Sequence, residues 1–191
     1  MTRFIGLTGG IGDGKSEVLA AARRLGAETI STDQVAHDVL DAPEVRELLI
    51  ERWGDETIGA DGAVDRARIA SIVFEDPDDL AWLESQTHPR VGAAVAEWRA
   101  AVDPGVDVAV LEIPLLFEAG LDAGFDETLA VVAADELREA RLSGRGQGGL
   151  EGREARQLSQ DEKAARADHV IRNDGTIEEL ERAVAEVLKP R

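Results

Sequence analysis

Gly9-Gly10-Ile11-Gly12-Asp13-Gly14-Lys15-Ser16 fits G-x-x-x-x-G-K-[ST], and its surroundings decide how it reads. The apolar run Phe4-Ile5-Gly6-Leu7 precedes it and a helical pattern from Glu17 to Leu25 follows. Strand, glycine loop and helix therefore stand in the order that a phosphate-binding loop needs. Glycines let successive backbone N–H groups turn inward without Cβ clashes, and the helix that follows offers its positive end. On this reading Gly10, Ile11, Gly12, Asp13, Gly14, Lys15, Ser16 and Glu17 receive the polyphosphate of ATP or GTP. Lys15 reaches the β- and γ-phosphates and the Ser16 hydroxyl ligates Mg²⁺. Asp13 is the discordant member: a carboxylate beside phosphates repels them unless it points to solvent. The expectation is a small cost in nucleotide affinity.

Working outward, short apolar strands alternate with helical patterns, the signature of a parallel sheet covered by helices. Strands are expected at Phe4–Thr8, Glu28–Ser31, Val106–Ile113, Thr128–Ala133 and His169–Arg172. The fold class is thus α/β, three layers with a five-stranded parallel sheet. The core is expected at about 1–32, 104–134 and 168–191, with a helical substrate-binding insertion at about 33–103. Trp53, Trp82 and Trp98 fall in that insertion at helical spacing from aliphatic residues, and read as packing aromatics rather than base-stacking platforms. A charged helical stretch at about 135–167, broken by Gly144-Arg145-Gly146-Gln147-Gly148-Gly149, reads as a lid. Thr176-Ile177-Glu178-Glu179 carries a capping-box pattern at the start of the last helix.

With 191 residues, the sequence suits one α/β unit with insertions. Its net charge of −18 argues against a nucleic-acid or anionic-membrane surface. No apolar run approaches the roughly 20 residues of a membrane span, and the reading is a cytosolic protein. There is no cysteine, and His37, His88 and His169 are too scattered for a metal cluster. Only three of the 21 basic residues are lysine (Lys15, Lys163 and Lys189), so a phosphate clamp beyond the loop falls to arginine. The sequence leaves open whether the chain is a monomer or a weak homo-oligomer.

Phosphoryl transfer needs an acceptor oxygen in line, a group to take its proton, and cations for the transferred charge. Asp33 follows the second strand, whose carboxyl end shares a crevice with the loop, and is the candidate base. The same residue suits the N-cap of a helix from Gln34 to Leu40, and both roles stay open. Glu112 closes the third strand and suits a metal shell, with a solvated strand edge as the alternative. Pro114 to Phe117 begins an acceptor pocket or is plain core. Arg138, Arg141 and Arg145 share one helical side and can face the transferring group, or pair with nearby glutamates.

Together these stretches resemble the dephospho-CoA kinase family. The likeness lies in Gly6 to Gly12 with Gly14-Lys15-Ser16, in Asp33 with Ala36-His37, in His88-Pro89, and in Pro114-Leu115-Leu116-Phe117-Glu118. It continues through Arg141, Arg145, Gln157, Ser159, Lys163, Ala167-Asp168, Val170-Ile171 and Asn173. The resemblance implies transfer of the γ-phosphoryl group of ATP to the 3′-hydroxyl of the small-molecule substrate dephospho-CoA, with Mg²⁺. It implies Asp33 as base, Thr8 and Lys15 on phosphates, and Arg141 and Arg145 as lid clamps. It places His88, Pro89, Leu115, Phe117 and Glu118 toward the acceptor, and Asn173 at the adenine end, although Asn173-Asp174-Gly175 also reads as a turn. His88-Pro89 equally reads as a helix terminator. The chain departs from the family at Ser31, where an acid is common, and at Gly146, where Asp is usual. A kinase for another small nucleotide or metabolite and a non-catalytic nucleotide-binding homologue are the alternatives. A GTPase-like switch is disfavoured, since no N-K-x-D element follows the loop.

Overall fold

The computed structural model describes residues 1–143 and 157–190. The chain divides into two compact units, Met1–Ser31 with Val102–Arg191, and Thr32–Ala101. The first unit carries a parallel sheet of β1 (Arg3–Gly9), β2 (Glu28–Ser31), β3 (Val108–Glu112), β4 (Glu127–Val132) and β5 (His169–Arg172) in the order β2-β3-β1-β4-β5. Every residue of β3 and β4 is buried, as is β1 from Ile5 onward. Central parallel strands are covered on both faces, which is why they read in sequence as unbroken apolar runs.

Side chains alternate along a strand, and the two faces are covered differently. Ile5, Leu7, Val108, Val110, Leu129, Val131 and Ile171 share one core with Val18, Ala21 and Ala22 of α1 (Lys15–Arg24) and with two residues of a C-terminal helix. Those two are Leu180 and Val184. On the opposite face Gly6 lets Phe125 and Leu116 lie directly on β1, since a Cβ there would stand 3.0 Å from the phenyl ring and 3.1 Å from the leucine. Thr8, on the same face as Gly6, meets Lys163. The result is the three-layer α/β architecture expected from the sequence.

The second unit is helical: α2 (Thr32–Asp41), α3 (Pro43–Trp53), α4 (Arg66–Glu75) and α5 (Pro77–Ala101). Its core gathers Val45, Leu49, Val64, Ile69 and Val73, with Trp53 and Trp82 packed against them. The two indoles meet edge to face with centroids 4.9 Å apart, so these tryptophans are packing residues. Of the two readings of His88-Pro89, the helix terminator is not what occurs, and Pro89 lies inside α5. A proline in a helix interior forfeits one N–H, a cost that a helix of 25 residues absorbs through its remaining turns.

In the first unit follow α6 (Asp135–Ser143), α7 (Gln160–Arg166) and α8 (Ile177–Leu188). The expected capping box on α8 is present: Glu179 donates its N–H to the Thr176 hydroxyl while the Glu179 carboxylate accepts from the Thr176 N–H. Ser159 and Glu162 form a second one on α7. Among the described residues no helix is long and apolar enough to cross a membrane.

Candidate active site

β1 runs directly into the glycine loop, and the loop into α1. Gly12 and Gly14 have φ of +85° and +93°, a region that side chains rarely adopt. A Cβ on Gly14 would collide with Asn173 Nδ2, and one on Gly9 would stand 2.7 Å from the Val131 carbonyl oxygen. The Gly14 carbonyl accepts from the N–H groups of Glu17 and Val18 at 3.1 and 3.2 Å, which starts the helix with no side-chain cap. First-turn amides that no carbonyl within the helix can take up then sit at the loop, at the positive end of the helix dipole. Lys15 Nζ donates to the Gly10 carbonyl at 2.9 Å, bridging the loop, while Ser16 and Glu17 are exposed on the first turn. This is a cradle for a phosphate chain, and it fits the polyphosphate of ATP.

The outer side of the loop is bonded to α6 and to Asn173. Arg138 Nε donates to the Ile11 carbonyl at 3.3 Å, and Arg141 donates to the carbonyls of Gly12 and Asn173, both at 3.1 Å. Asn173 Nδ2 donates to the Asp13 carbonyl at 2.9 Å. The Asn173 side chain therefore serves the loop rather than its own turn.

Asp13 does not point to solvent. It is wholly buried: Oδ2 accepts from the Gly10 N–H at 2.5 Å, and Oδ1 lies 2.9 Å from Arg138 Nε. The second contact is a charge contact off the hydrogen-bond direction, because that N–H is aimed at Ile11. Burial pushes the Asp13 carboxyl above its ordinary range, opposed by the Gly10 amide and by the charges of Arg138, Lys15 and Lys163. Two partners inside the protein, an amide and a guanidinium, explain why the carboxylate turns inward.

Behind the loop lies a site that the sequence did not single out as chemistry. Lys163 of α7 is fully buried, and its Nζ meets the Pro114 carbonyl at 2.6 Å, Glu118 Oε1 at 2.9 Å and the Thr8 hydroxyl at 3.3 Å. Thr8 in turn donates to the Pro114 carbonyl at 3.1 Å, and Glu118 accepts the Leu158 N–H at 2.7 Å. One ammonium thus ties the end of β1, the turn after β3 and α7 together. Its sequence signals were its place in the family likeness, with no role attached, and a lysine kept where the chain otherwise uses arginine; a compact three-donor ammonium suits three converging acceptors better than a planar fork.

Glu112 ends β3 buried, in register with Leu7 of β1 and Ser31 of β2. Leu115 is half-buried and Phe117 buried. Asp33, His88 and Pro89 are exposed in the helical unit. α2 starts at Thr32, so Asp33 lies within its first turn rather than capping a helix that starts at Gln34. Arg145 and Gly146, and with them much of the expected lid, lie outside the described residues. No cluster of three or more His, Cys, Asp or Glu side chains suited to a metal occurs among the described residues. The Ser16 hydroxyl, exposed on the first turn of α1, and the buried Glu112 carboxylate are oxygen donors of the kind Mg²⁺ takes beside phosphate oxygens and waters.

A family model described as dephospho-CoA kinase matches residues 3–179. The chain belongs to the dephospho-CoA kinase family. It is 43% identical over 183 residues to a dephospho-CoA kinase of Deinococcus radiodurans, covering 94% of this chain and 87% of that one. The crystal structure of TT1252 from Thermus thermophilus superposes with a TM-score of 0.80 at 36% identity, over 98% of this chain and 96% of that one. The dephospho-CoA kinase from Campylobacter jejuni does so with a TM-score of 0.72 at 27% identity and the same coverage. As a member of the dephospho-CoA kinase family, the chain is a P-loop kinase.

Proposed function

We propose that the chain transfers the γ-phosphoryl group of ATP to the 3′-hydroxyl of dephospho-CoA. The observation that carries this is the built cradle, with Lys15 across it and α1 starting beneath it, within a chain matched to the family over residues 3–179. The acceptor oxygen forms a bond to the γ-phosphorus as the bond to the β–γ bridging oxygen breaks, and ADP leaves. Asp33 accepts the hydroxyl proton. It follows β2 by two residues in the chain, and in open α/β sheets the ligand crevice lies outside the carboxyl ends of the strands.

Lys15 and the loop amides hold the phosphates, and Asn173 lies at the adenine end. Ser16 and Glu112 would hold Mg²⁺, which when bound neutralises phosphate charge. Arg141, bonded to the Gly12 and Asn173 carbonyls, and Arg145 balance the charge of the transferring group. His88 and Pro89, and separately Leu115, Phe117 and Glu118, are assigned to recognition of the acceptor. Residues 135–167 act as the lid.

The test is a coupled ADP-release assay with Mg-ATP against a panel of alcohol acceptors, followed by mass analysis of the product. Dephospho-CoA should be the preferred acceptor, with one phosphate added at its 3′-oxygen. Preference for a different metabolite, or no ADP release with any acceptor, would remove the assignment.

A further inference from the structure

A carboxylate is buried in the wall of a loop whose ligand is an anion. Asp13 is fully buried, with the Gly10 backbone on one carboxylate oxygen and the Arg138 guanidinium on the other. Its Oδ2 takes the Gly10 N–H at 2.5 Å, and a Cβ on Gly10 would stand 3.0 Å from that same oxygen. A side chain at position 10 would therefore press on the carboxylate. Arg138 approaches the other oxygen at 2.9 Å and also donates to the Ile11 carbonyl. Asp135 binds the far side of the same guanidinium at 3.1 Å.

The consequence for the cradle follows from peptide geometry. Arg138, Arg141 and Asn173 take the carbonyls of Ile11, Gly12 and Asp13 in succession. In a planar trans peptide the C=O of one residue and the N–H of the next point in opposite directions. Anchoring the Ile11 and Asp13 carbonyls on the outer side thus turns the N–H groups of Gly12 and Gly14 to the inner side, where a phosphate would lie. Asp13 fixes the start of this arc through Gly10. Arg138 fixes its middle and cancels the carboxylate charge that phosphates would otherwise feel.

We propose that Asp13 and Arg138 are a positioning pair for the phosphate loop, in which the carboxylate contributes to ATP affinity instead of opposing it, provided that Arg138 neutralises it. The proposal rests on the reading that this loop binds ATP. It reverses the sign that charge alone suggests. Replacing only Arg138 should be the most damaging change, because it leaves a buried anion beside the bound phosphates, whereas removing both partners leaves a neutral, slightly looser loop.

The experiment is calorimetric titration of a non-hydrolysable ATP analogue into full-length wild type, Asp13→Asn, Arg138→Met, Arg138→Lys and the double variant Asp13→Ser/Arg138→Met, with thermal melts on each. Losing one charge-assisted contact should raise the Kd about tenfold for Asp13→Asn and more for Arg138→Met. The double variant should bind better than Arg138→Met alone, and Arg138→Lys should recover part of the loss by retaining the charge. In turnover assays the effect should fall on the KM for ATP rather than on the KM for the acceptor. An Asp13→Asn variant that binds ATP as well as or better than wild type would overturn the proposal. So would a double variant no better than Arg138→Met. If Arg138→Met fails to fold, Asp13→Asn and Arg138→Lys decide the matter alone. A wild type that does not bind the analogue would instead reject the nucleotide reading itself.

Discussion

Lys163 Nζ lies 2.9 Å from Glu118 Oε1, with the lysine side chain completely removed from water. A buried ammonium survives only because the Pro114 carbonyl and the Thr8 hydroxyl complete its set of acceptors. Removing one partner of such a pair leaves the other charge buried, at a cost of about 3–5 kcal/mol. Lys163→Met should therefore lower the melting temperature on the order of 10 °C. Lys163→Met/Glu118→Met replaces both charges by apolar volume and should regain most of that loss in a thermal melt. A single variant that melts like wild type would show that the glutamate reaches water.

Acid should act on three carboxylates with opposite signs. Burial works to raise Glu118, but the Lys163 ammonium and the Leu158 amide outweigh it and bring the carboxyl below its ordinary 4.5. The Thr128 hydroxyl and amide bring Asp168 below its ordinary 3.8. A lowered folded-state value means stability that is present above the ordinary value and lost as pH falls through the folded one. Asp13 is raised, so protonation favours its folded form and offsets part of that loss above pH 3.8. Melting temperature should thus decline on acidification below about pH 4.5. The decline should be shallower in Asp168→Asn and steeper in Asp13→Asn, which parallel melts across pH 3 to 7 would resolve.

What the sequence made legible and what it hid have separate physical causes. The central strands β1, β3 and β4 were visible because they are buried on both faces, and the loop because its glycines are demanded by backbone geometry at Gly12 and Gly14. Both signals are local. The partners of Asp13 are not: Arg138 stands 125 positions away on a helix whose charge pattern also suits a solvated surface. Lys163 sits between acidic and basic neighbours on α7, where one inward-facing lysine looks the same as an outward one. The terminator alternative at His88-Pro89 fails for the opposite reason, since a local rule for ending helices gave way to the surrounding turns of α5.

Asp33 in the first turn of α2 gives a kinetic prediction that separates chemistry from binding. Asp33→Asn preserves the shape of the residue but cannot accept a proton, and should lower kcat by roughly 10²–10⁴-fold. The Kd for an ATP analogue should stay within about twofold, because phosphate binding is assigned to the loop. Single-turnover measurement with pre-bound ATP checks this directly. Undiminished phosphoryl transfer would assign the proton elsewhere.

Gly14 offers the sharpest test of the cradle, because two separate costs meet at one atom. Its φ of +93° is unfavourable for any residue with a Cβ, and that Cβ would run into Asn173 Nδ2. Gly14→Ala should therefore reduce ATP-analogue affinity below detection by distorting the start of α1. Asn173→Ala alone should weaken binding modestly, since it removes only the donor to the Asp13 carbonyl. In Gly14→Ala/Asn173→Ala the collision is gone but the backbone strain remains, at about 1–2 kcal/mol. The double variant should then bind more tightly than Gly14→Ala and more weakly than Asn173→Ala. If Gly14→Ala binds like wild type, the left-handed turn is not what shapes the loop. If the double variant is no better than Gly14→Ala, strain alone accounts for the loss and Asn173 does not crowd the loop.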